Sequence, residues 1–587
     1  MSGELALEAD AVTRTRAAAR RLLLEARLPA GHWEGHLSSS ALSTATAVCA
    51  LELVRRHRPD APESLGGLVA RGLAWLASHQ NADGGYGDTT DSPSNISTTT
   101  LCWAALGMVP GQEAAAGRAG GWLKKDAGDL SPGPLARTIA DRYGKDRTFS
   151  TPILTMCALS GRFGAGREAW SSVPGLPFEL AMLPRSWFGA LGLRVVSYAL
   201  PALIAIGQAI HHHHPPGNPL TRLLRNRARA GTLRLLEAIQ PASGGFLEAT
   251  PLTSFVTMSL AGSGLADHAV ARKAVGFLIA SAREDGSWAI DSNLATWITT
   301  LSVHAVGDAL SAGERRRIRD WLLRQQHKEV HPYTGAAPGG WAWTDLSGGV
   351  PDADDTPGAM LALSRLADPD DLEVKAAASS GVRWLIDLQN SDGGVPTFCR
   401  GWGKLPFDQS CPDLTAHAIR AWSVWAPGPA APAIRRAFDY LVRVQQSDGS
   451  WIPLWFGNQR APEQANPVYG TSRVLLCAGL DSGPAWTGAV RRAKDWLVRA
   501  QRDDGGFGGA PGLEATIEET ALAVEGLAVA GGCDEAVVRG RRWLVQRTAE
   551  GTRFEPSPIG LYFARLWYWD RLYPLIFTVA ALGRGPA

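Results

Sequence analysis

Three aspartates, Asp352, Asp354 and Asp355, lie within four residues of one another in the stretch GGWAWTDLSGGVPDADDTPGAM, residues 339–360. Carboxyl groups this crowded cannot all ionise in a low-dielectric site, so one of them retains its proton at neutral pH. Such a group is a Brønsted acid. Taken alone, the same carboxylates before a Thr-Pro pair are typical of a helix N-terminus, where they lie near the positive end of the dipole.

A second polar element is PDLTAHAIRAW, in which Asp413 and His417 are four residues apart and therefore share one face of a predicted helix. A histidine cation that donates a hydrogen bond to one oxygen of a carboxyl group makes the remaining proton more acidic. A lone histidine on a helix is otherwise typical of a buried structural residue. Together, the two elements predict an acid that can protonate an unactivated alkene and so generate a carbocation.

Two tryptophans, Trp341 and Trp343, precede the acid motif, and the chain contains 22 tryptophans in all. The face of an aromatic ring carries negative quadrupole charge and stabilises a cation without attacking it. We therefore expect some indoles to surround the carbocation, while most of them pack in the core or in repeats.

Composition excludes several other classes of function. The chain has 587 residues, a net charge of +2 and only 19% charged residues, which argues against nucleic acid as a partner. Its seven cysteines contain no C-x-x-C pair, so we predict neither a metal site nor a disulfide framework. The N-terminus carries acidic residues and no apolar signal region, which favours a protein that stays inside the cell.

Apolar residues at helical spacing dominate the chain and predict an all-α protein. An aromatic residue, a Gln five positions later and an Asp-Gly turn recur at Trp75, Trp384, Tyr440 and Trp496. Such a repeat accommodates two helices per unit, as in an α/α toroid. We interpret the repeats as structural and assign no chemistry to them.

The repeats, together with GGWAW…PDADDT and PDLTAHAIRAW, resemble the squalene-hopene cyclase family of class II terpene cyclases over nearly the whole chain. The resemblance implies two α/α barrels, one inserted into the other, with a large apolar cavity between them. We place the catalytic barrel at 1–25 plus 290–587 and the inserted barrel at 30–285. No metal and no organic cofactor are implied, and a homodimer is a possible assembly.

The resemblance also implies roles for individual residues. Asp354 is the proton donor, with Asp352 and Asp355 as its companions. His417 is its activating partner and is oriented by Asp413. Further aromatic side chains are expected to line the cavity and stabilise cations. They are Trp343, Trp297, Phe398, Trp455, Tyr469, Tyr562, Trp569 and Tyr198.

The chain departs from the family where the final cation is quenched. LSSSALSTATAV, NISTTTLCWAAL and RTFSTPILTM have Ser and Thr where the family has acidic residues and an arginine, and Leu566 replaces an aromatic residue. Ring number, quenching by water or by deprotonation, and the exact substrate therefore stay open. The leading hypothesis is cyclisation of squalene or a similar linear polyprenoid. The alternatives are a class II cyclase of a prenyl diphosphate and a non-catalytic lipid-binding toroid.

Residues 174–216 differ in character from the rest of the chain. An apolar run, VVSYALPALIAIGQAI, is flanked by Arg and Trp residues, contains Pro201 and is shorter than a membrane-spanning helix requires. This pattern predicts monotopic contact with the cytoplasmic side of the cell membrane, and the alternative is a buried helix pair.

Overall fold

The structure is a computed structural model that describes residues 2–144, 147–184, 187, 200–332, 334–397, 408–480, 482–561 and 565–583. The described α-helices, α1 to α22 in chain order, are Ser2–Glu25, Ala41–His57, Ser64–Ser78, Ile96–Leu106, Glu113–Ala127, Pro132–Tyr143, Arg147–Leu159, Leu200–His213, Pro219–Ile239, Thr250–Gly262, Ala269–Ala280, Ala295–Val306, Ala312–Gln325, Asp355–Leu366, Leu372–Leu388, Pro412–Trp425, Ala431–Val444, Pro467–Leu475, Pro484–Ala500, Ile517–Ala530, Asp534–Arg547 and Tyr573–Gly583. The described strands, β1 to β5, are Ser39–Ser40, Trp288–Ala289, Phe456–Gly457, Ile559–Leu561 and Leu566–Tyr568.

The predicted all-α fold of two α/α barrels is confirmed. The described strands have only two or three residues each, and the helices pack around two main hydrophobic cores. Strands β1 and β2 pair antiparallel, with Ser39 opposite Ala289. Strands β3, β4 and β5 form a second antiparallel sheet, in which Phe456 lies opposite Leu561. The β1–β2 pair ties the start of the chain to a segment about 250 residues later, just before helix α12.

The repeated glutamines hold neighbouring helices together. The Gln389 side chain donates to the carbonyl of Gly393 in its own turn, at 2.8 Å, and to that of Ala433 in α17, at 2.9 Å. Corresponding glutamines, including Gln240, which we did not recognise in the sequence, make the same two bonds. Gly393 has φ +90°, a conformation that L side chains rarely adopt. The contacts agree with a structural role for the repeats.

Two main hydrophobic cores follow from this packing. One core includes Ala19 and Leu23 of α1 and buried residues from 289 to the last helix. The other comprises buried residues from 41 to 288, and a smaller cluster around Leu200 and Val256 adjoins it. Helix α1 thus packs with the C-terminal half of the chain, although almost 270 residues separate the two in sequence.

Within the predicted membrane-contacting region, helix α8 is a core helix where the structure describes it. Leu200, Ile204, Ile206 and Ile210 are all buried. The exposed large apolar side chains nearby come instead from neighbouring positions, and they are Met182, Trp187, Leu220, Leu223 and Leu224. We call these five residues the apolar patch. Among the described residues, no helix is long and apolar enough to cross a membrane.

Candidate active site

A short loop before α14 positions the three aspartates. The loop is fixed by backbone hydrogen bonds from Asp352 N–H to the Trp341 carbonyl, at 3.0 Å, and from Ala353 N–H to the Thr397 carbonyl, at 2.8 Å. Asp352 Oδ1 then accepts from the N–H groups of Asp354 and Asp355, at 2.8 and 2.7 Å. Asp352 therefore takes the capping role, and the side chain of Asp354 makes no cap hydrogen bond although it occupies the N-cap position.

Asp354 faces the large cavity and His417 at the same time. Its carboxyl group is among the cavity lining, and its Oδ1 lies 2.8 Å from Nδ1 of His417 on α16. Gly358, one turn into α14, allows this helix to lie close to α12 and α16. A Cβ added at Gly358 would lie 3.0 Å from Thr300 Oγ1 on α12 and 3.5 Å from His417 Cε1 on α16. The structure thus joins the two polar elements that lie 63 residues apart in the sequence.

The buried position of His417 disfavours the imidazolium form that we expected. The pKa of His417 is lowered to about 4, mainly by burial and also by the positive charges of Arg473 and Arg420, while Asp354 opposes the shift. His417 Nδ1 and Asp354 Oδ1 share a hydrogen bond at 2.8 Å, whose donor depends on the tautomer of the ring. Oδ1 of Asp354 is therefore the carboxyl oxygen that contacts His417.

The two companion aspartates differ from Asp354 in their surroundings. Burial raises the pKa of Asp352 to about 7. Burial together with the charges of Asp352 and Asp354 raises the pKa of Asp355 well above its usual range. A side-chain hydrogen bond links Asp352 to Asp355, and Asp355 Oδ1 has no hydrogen-bond partner among the described residues. The motif therefore retains protons at neutral pH, as the crowding of its carboxyl groups predicts.

Asp413 is held by a group that we did not expect. Its Oδ1 accepts a hydrogen bond from the Cys411 thiol at 2.6 Å, and Cys411 Sγ in turn accepts from Leu454 N–H at 3.2 Å. Burial raises the pKa of Asp413 to about 6. Within the described part of the chain, no hydrogen bond links Asp413 to His417. Asp413 lies in the first turn of α16, and its predicted role in orienting His417 stays a prediction.

The acid opens into a large apolar cavity of about 300 Å³. Residues from both halves of the chain line it, which agrees with the predicted cavity between the barrels. The lining from the C-terminal half includes Leu294, Trp297, Trp343, Thr397, Leu414, Trp455, Phe456, Leu566 and Tyr568. The lining from the N-terminal half includes Leu37, Leu42, Leu101, Tyr143, Phe149, Pro152, Ile153, Leu252 and Phe255.

Of the predicted aromatic residues, Trp343, Trp297 and Trp455 line the cavity. The Trp297 ring stacks on Phe456 with centroids 6.3 Å apart, and its N–H donates to the Tyr573 hydroxyl at 3.0 Å. These contacts fix the ring orientation, so that the walls of the cavity are preorganised before a substrate binds.

Other predicted residues lie elsewhere. Tyr469 is buried behind Phe456, with ring centroids 4.8 Å apart, and is not among the described cavity-lining residues. Trp569 directs its indole N–H to Asp91 Oδ2 at 2.9 Å, and the neighbouring Tyr568 lines the cavity in its place. Three further predicted residues lie outside the described residues, and they are Phe398, Tyr562 and Tyr198.

The structure adds Asp291, a cavity-lining carboxyl group that sequence reasoning missed. Its Oδ2 accepts the indole N–H of Trp343 at 3.0 Å, and its Oδ1 accepts the N–H of Ser292 at 2.8 Å. Burial and the charge of Glu248 raise the pKa of Asp291 well above its usual range. No local sequence motif marks this residue, so sequence reasoning had no signal for it.

The serine- and threonine-rich segments form α2, α4 and α7, which bring Leu42, Leu101, Phe149 and Ile153 to the cavity. One polar group here is the hydroxyl of Tyr143, which lies 2.9 Å from Ser97 Oγ. Among the described residues, no cluster of His, Cys, Asp or Glu side chains is arranged to hold a metal ion.

Comparisons with known proteins agree with this geometry. The family model of the squalene-hopene cyclase C-terminal domain matches residues 293–586, and that of the N-terminal domain matches residues 16–119. The squalene–hopene cyclase of Zymomonas mobilis is 24% identical over 95% of this chain and 93% of its own. A probable squalene–hopene cyclase of Sinorhizobium fredii is 24% identical over 97% of this chain and 96% of its own.

Among solved structures, an ent-copalyl diphosphate synthase from Streptomyces platensis shares the fold. It is 20% identical, with a TM-score of 0.52, and the match covers 98% of this chain and 100% of the synthase. The matched domains account for the acid motif, the histidine helix and the repeats, and the chain therefore belongs to the squalene-hopene cyclase family of class II terpene cyclases.

Proposed function

We propose that this protein protonates the terminal isoprene double bond of squalene or a similar linear polyprenoid and so starts a cationic polycyclisation. The observation that carries the proposal is the Asp354 carboxyl group, which faces an apolar, aromatic cavity while its Oδ1 is hydrogen-bonded to His417 at 2.8 Å. A carboxyl group in a water-poor cavity can transfer its proton to a hydrocarbon because no solvent there competes for the proton.

The chemistry of the lining favours an uncharged hydrocarbon substrate. Among the described lining residues there is no Lys or Arg, whereas a diphosphate group requires cationic partners. The aromatic rings of Trp343, Trp297 and Tyr568 surround the space next to the acid and suit a cationic intermediate. A toroid that only carried a lipid would need neither a buried acid nor its histidine partner.

The test is incubation of the purified protein in detergent with squalene, oxidosqualene or geranylgeranyl diphosphate, with and without EDTA, followed by mass spectrometry of the products. We expect cyclic products from a neutral polyprenoid, and we expect EDTA to have no effect on their yield. Conversion of the diphosphate alone, in an EDTA-sensitive reaction, would replace the proposal with the diphosphate alternative.

We further propose that the apolar patch attaches the protein to the cytoplasmic face of a membrane. Each of the five side chains in the apolar patch is at least half exposed. Arg222 and Arg227 are also exposed, and they lie on α9 together with the three leucines of the patch. Leucine and tryptophan side chains beside arginines suit the headgroup region of a bilayer. Attachment here would also let a water-insoluble substrate pass directly from the membrane to the enzyme.

Replacing Leu220, Leu223 and Leu224 together with serine should lower the fraction of protein that floats with phosphatidylcholine–phosphatidylglycerol vesicles. We expect about a tenfold weaker partition, because three leucines lose their apolar burial in lipid. High salt should not release the wild-type protein, since apolar insertion is little screened. The matched control replaces three exposed apolar residues elsewhere, Val330, Leu372 and Val424. Equal loss in both triple variants, or none in the first, would contradict attachment through the apolar patch.

A further inference from the structure

One carboxyl group in the wall of the large cavity, that of Asp291, lies outside the acid motif. Asp291 is in the short segment between β2 and α12, and its backbone pairs with that of Ala249, just before α10. The next residue continues this pairing, because Ser292 N–H donates to the Glu248 carbonyl at 3.1 Å. The backbone on both sides of the cavity wall therefore fixes where the Asp291 carboxyl group meets the cavity.

Both oxygens of Asp291 accept hydrogen bonds from N–H groups. Oδ2 accepts from the Trp343 indole at 3.0 Å, and Oδ1 accepts from Ser292 N–H at 2.8 Å. Such donors stabilise the carboxylate form, whereas burial and the charge of Glu248 raise the pKa of Asp291. A carboxylate with a raised pKa binds a proton more strongly than one in water, which suits a general base.

The turn beneath Asp291 has an unusual backbone conformation. Leu247 and Glu248 have φ 57° and 53°, in the left-handed region that residues other than glycine seldom adopt. Glu248 is fully buried, and its Oε1 accepts from Gly348 N–H at 2.7 Å and from the Ser243 hydroxyl at 2.6 Å. These bonds hold the turn in place. Strained backbone that its surroundings hold in place is concentrated at functional sites, which supports a role for the segment paired with it.

The rest of the cavity wall offers few other proton acceptors. Outside the acid motif, the remaining described lining side chains that could accept a proton carry hydroxyl groups, and they are Tyr143, Thr397 and Tyr568. A carboxylate is a far stronger base than a neutral hydroxyl group. The same scarcity of polar side chains leaves few partners to hold a water molecule in the cavity. The wall therefore favours loss of a proton over capture of water as the last step.

We propose, on the basis of the proposed function, that Asp291 is the catalytic base that ends the cyclisation. The C–H bond next to the final cationic carbon breaks, its electron pair forms a C=C double bond, and the proton moves to a carboxylate oxygen of Asp291. One proton thus enters the hydrocarbon from Asp354 and one leaves it to Asp291, so that the product is a cyclic alkene isomeric with the substrate. Asp291 releases its proton to solvent after the product has left.

The test is the substitution Asp291→Asn in the full-length protein, incubated in detergent with squalene or oxidosqualene in water labelled with heavy oxygen. The asparagine carbonyl can still accept an N–H bond, but it does not take up a proton as a carboxylate does. In mass spectrometry, an alkene formed by proton loss has the mass of the substrate, whereas an alcohol formed by capture of water carries the label. The product masses therefore report how the final cation is quenched.

We expect the wild-type protein to form an unlabelled cyclic alkene. In Asp291→Asn, the share of this alkene among the cyclic products should fall at least about tenfold, with labelled alcohols or other alkene isomers in its place. Consumption of substrate should stay within about twofold of the wild-type rate, since Asp354 still starts the reaction. Asp291→Glu retains a carboxylate and should keep part of the alkene share.

The matched control is Asp345→Asn. Asp345 is also an aspartate near this segment, since its Oδ1 accepts from the Asn293 amide at 3.2 Å, but it is exposed and does not line the cavity. We expect this variant to keep the wild-type distribution of products.

A labelled alcohol as the main wild-type product, or an unchanged alkene share in Asp291→Asn, would overturn the proposed base. So would an equal shift of products in Trp343→Phe, which loses the indole donor and keeps Asp291, because Asp291 would then act only through the ring. Equal loss of all products in Asp291→Asn and Asp291→Glu would assign Asp291 a structural role and overturn the proposal as well. Absence of any cyclic product from the wild-type protein with neutral polyprenoids is a different result, because it rejects the proposed function itself.

Discussion

Replacing Asp354 with asparagine should lower turnover of a polyprenoid at least about 100-fold, the lower end of what a general acid contributes. The amide is nearly isosteric with the carboxyl group, and its oxygen can still accept the Nδ1–H of His417, which lies 2.8 Å from Asp354 Oδ1. It cannot, however, transfer a proton to an alkene. Product formation measured by mass spectrometry, together with the thermal unfolding midpoint, separates lost chemistry from lost folding.

The matched control for this substitution is Asp534→Asn. Asp534 is also an aspartate at the start of a helix, but it is exposed and lies in the first turn of α21. We expect this variant to keep wild-type turnover. Residual activity of Asp354→Asn above about a tenth of the wild-type value would remove Asp354 from the role of proton donor.

The acid and its histidine could be predicted because each belongs to a short, local pattern. Asp354 lies at the beginning of a helix, and His417 follows Asp413 at a spacing that helix geometry fixes. The prediction that these two residues, 63 positions apart, contact each other came from the resemblance and not from their spacing, since sequence periodicity does not specify which helices pack together. The repeats were predictable for the same local reason.

Residues in irregular segments and strands were harder to assign. In β5, Leu566 and Tyr568 line the cavity while Trp567 is buried on the opposite side, as alternation along a strand requires. A sequence-based assignment that is shifted by one residue therefore selects Trp569 instead of Tyr568. The indole N–H of Trp569 donates a hydrogen bond to Asp91. A shift of one residue exchanges the two faces of a strand, and no sequence pattern in this aromatic segment fixes the register.

Protonation states depend on groups that only the fold brings together. The pKa of His417 is lowered first by burial and then by the charges of Arg473 on α18 and Arg420 on α16. Likewise, Asp291 lines the cavity next to Trp343, 52 residues later, and accepts its indole N–H. Burial and such long-range contacts have no signature in a single sequence, so these features had to come from the structure.

Replacing Trp343 with alanine should change the distribution of products without abolishing turnover. The Trp343 ring lines the cavity together with Asp354, and its N–H is anchored on Asp291 at 3.0 Å. A cation–π contact in a desolvated pocket contributes about 2 kcal/mol, which corresponds to roughly thirtyfold in the rate of one branch over another. We expect monocyclic or bicyclic products to increase relative to the wild-type product by about that factor.

Three comparisons make this last prediction specific to the aromatic face. Trp343→Phe retains a ring and should keep most of the wild-type product. Tyr568→Ala removes a ring from the wall formed by β5 and should also favour early products, since Tyr568 lines the same cavity. Phe149→Ala removes a ring from the part of the lining that the N-terminal half contributes, and should change only late products or the fit of the chain. If all four variants gave the wild-type product at a reduced rate, the rings would only pack the cavity wall, because a lost cation–π contact must change the partition between competing cations.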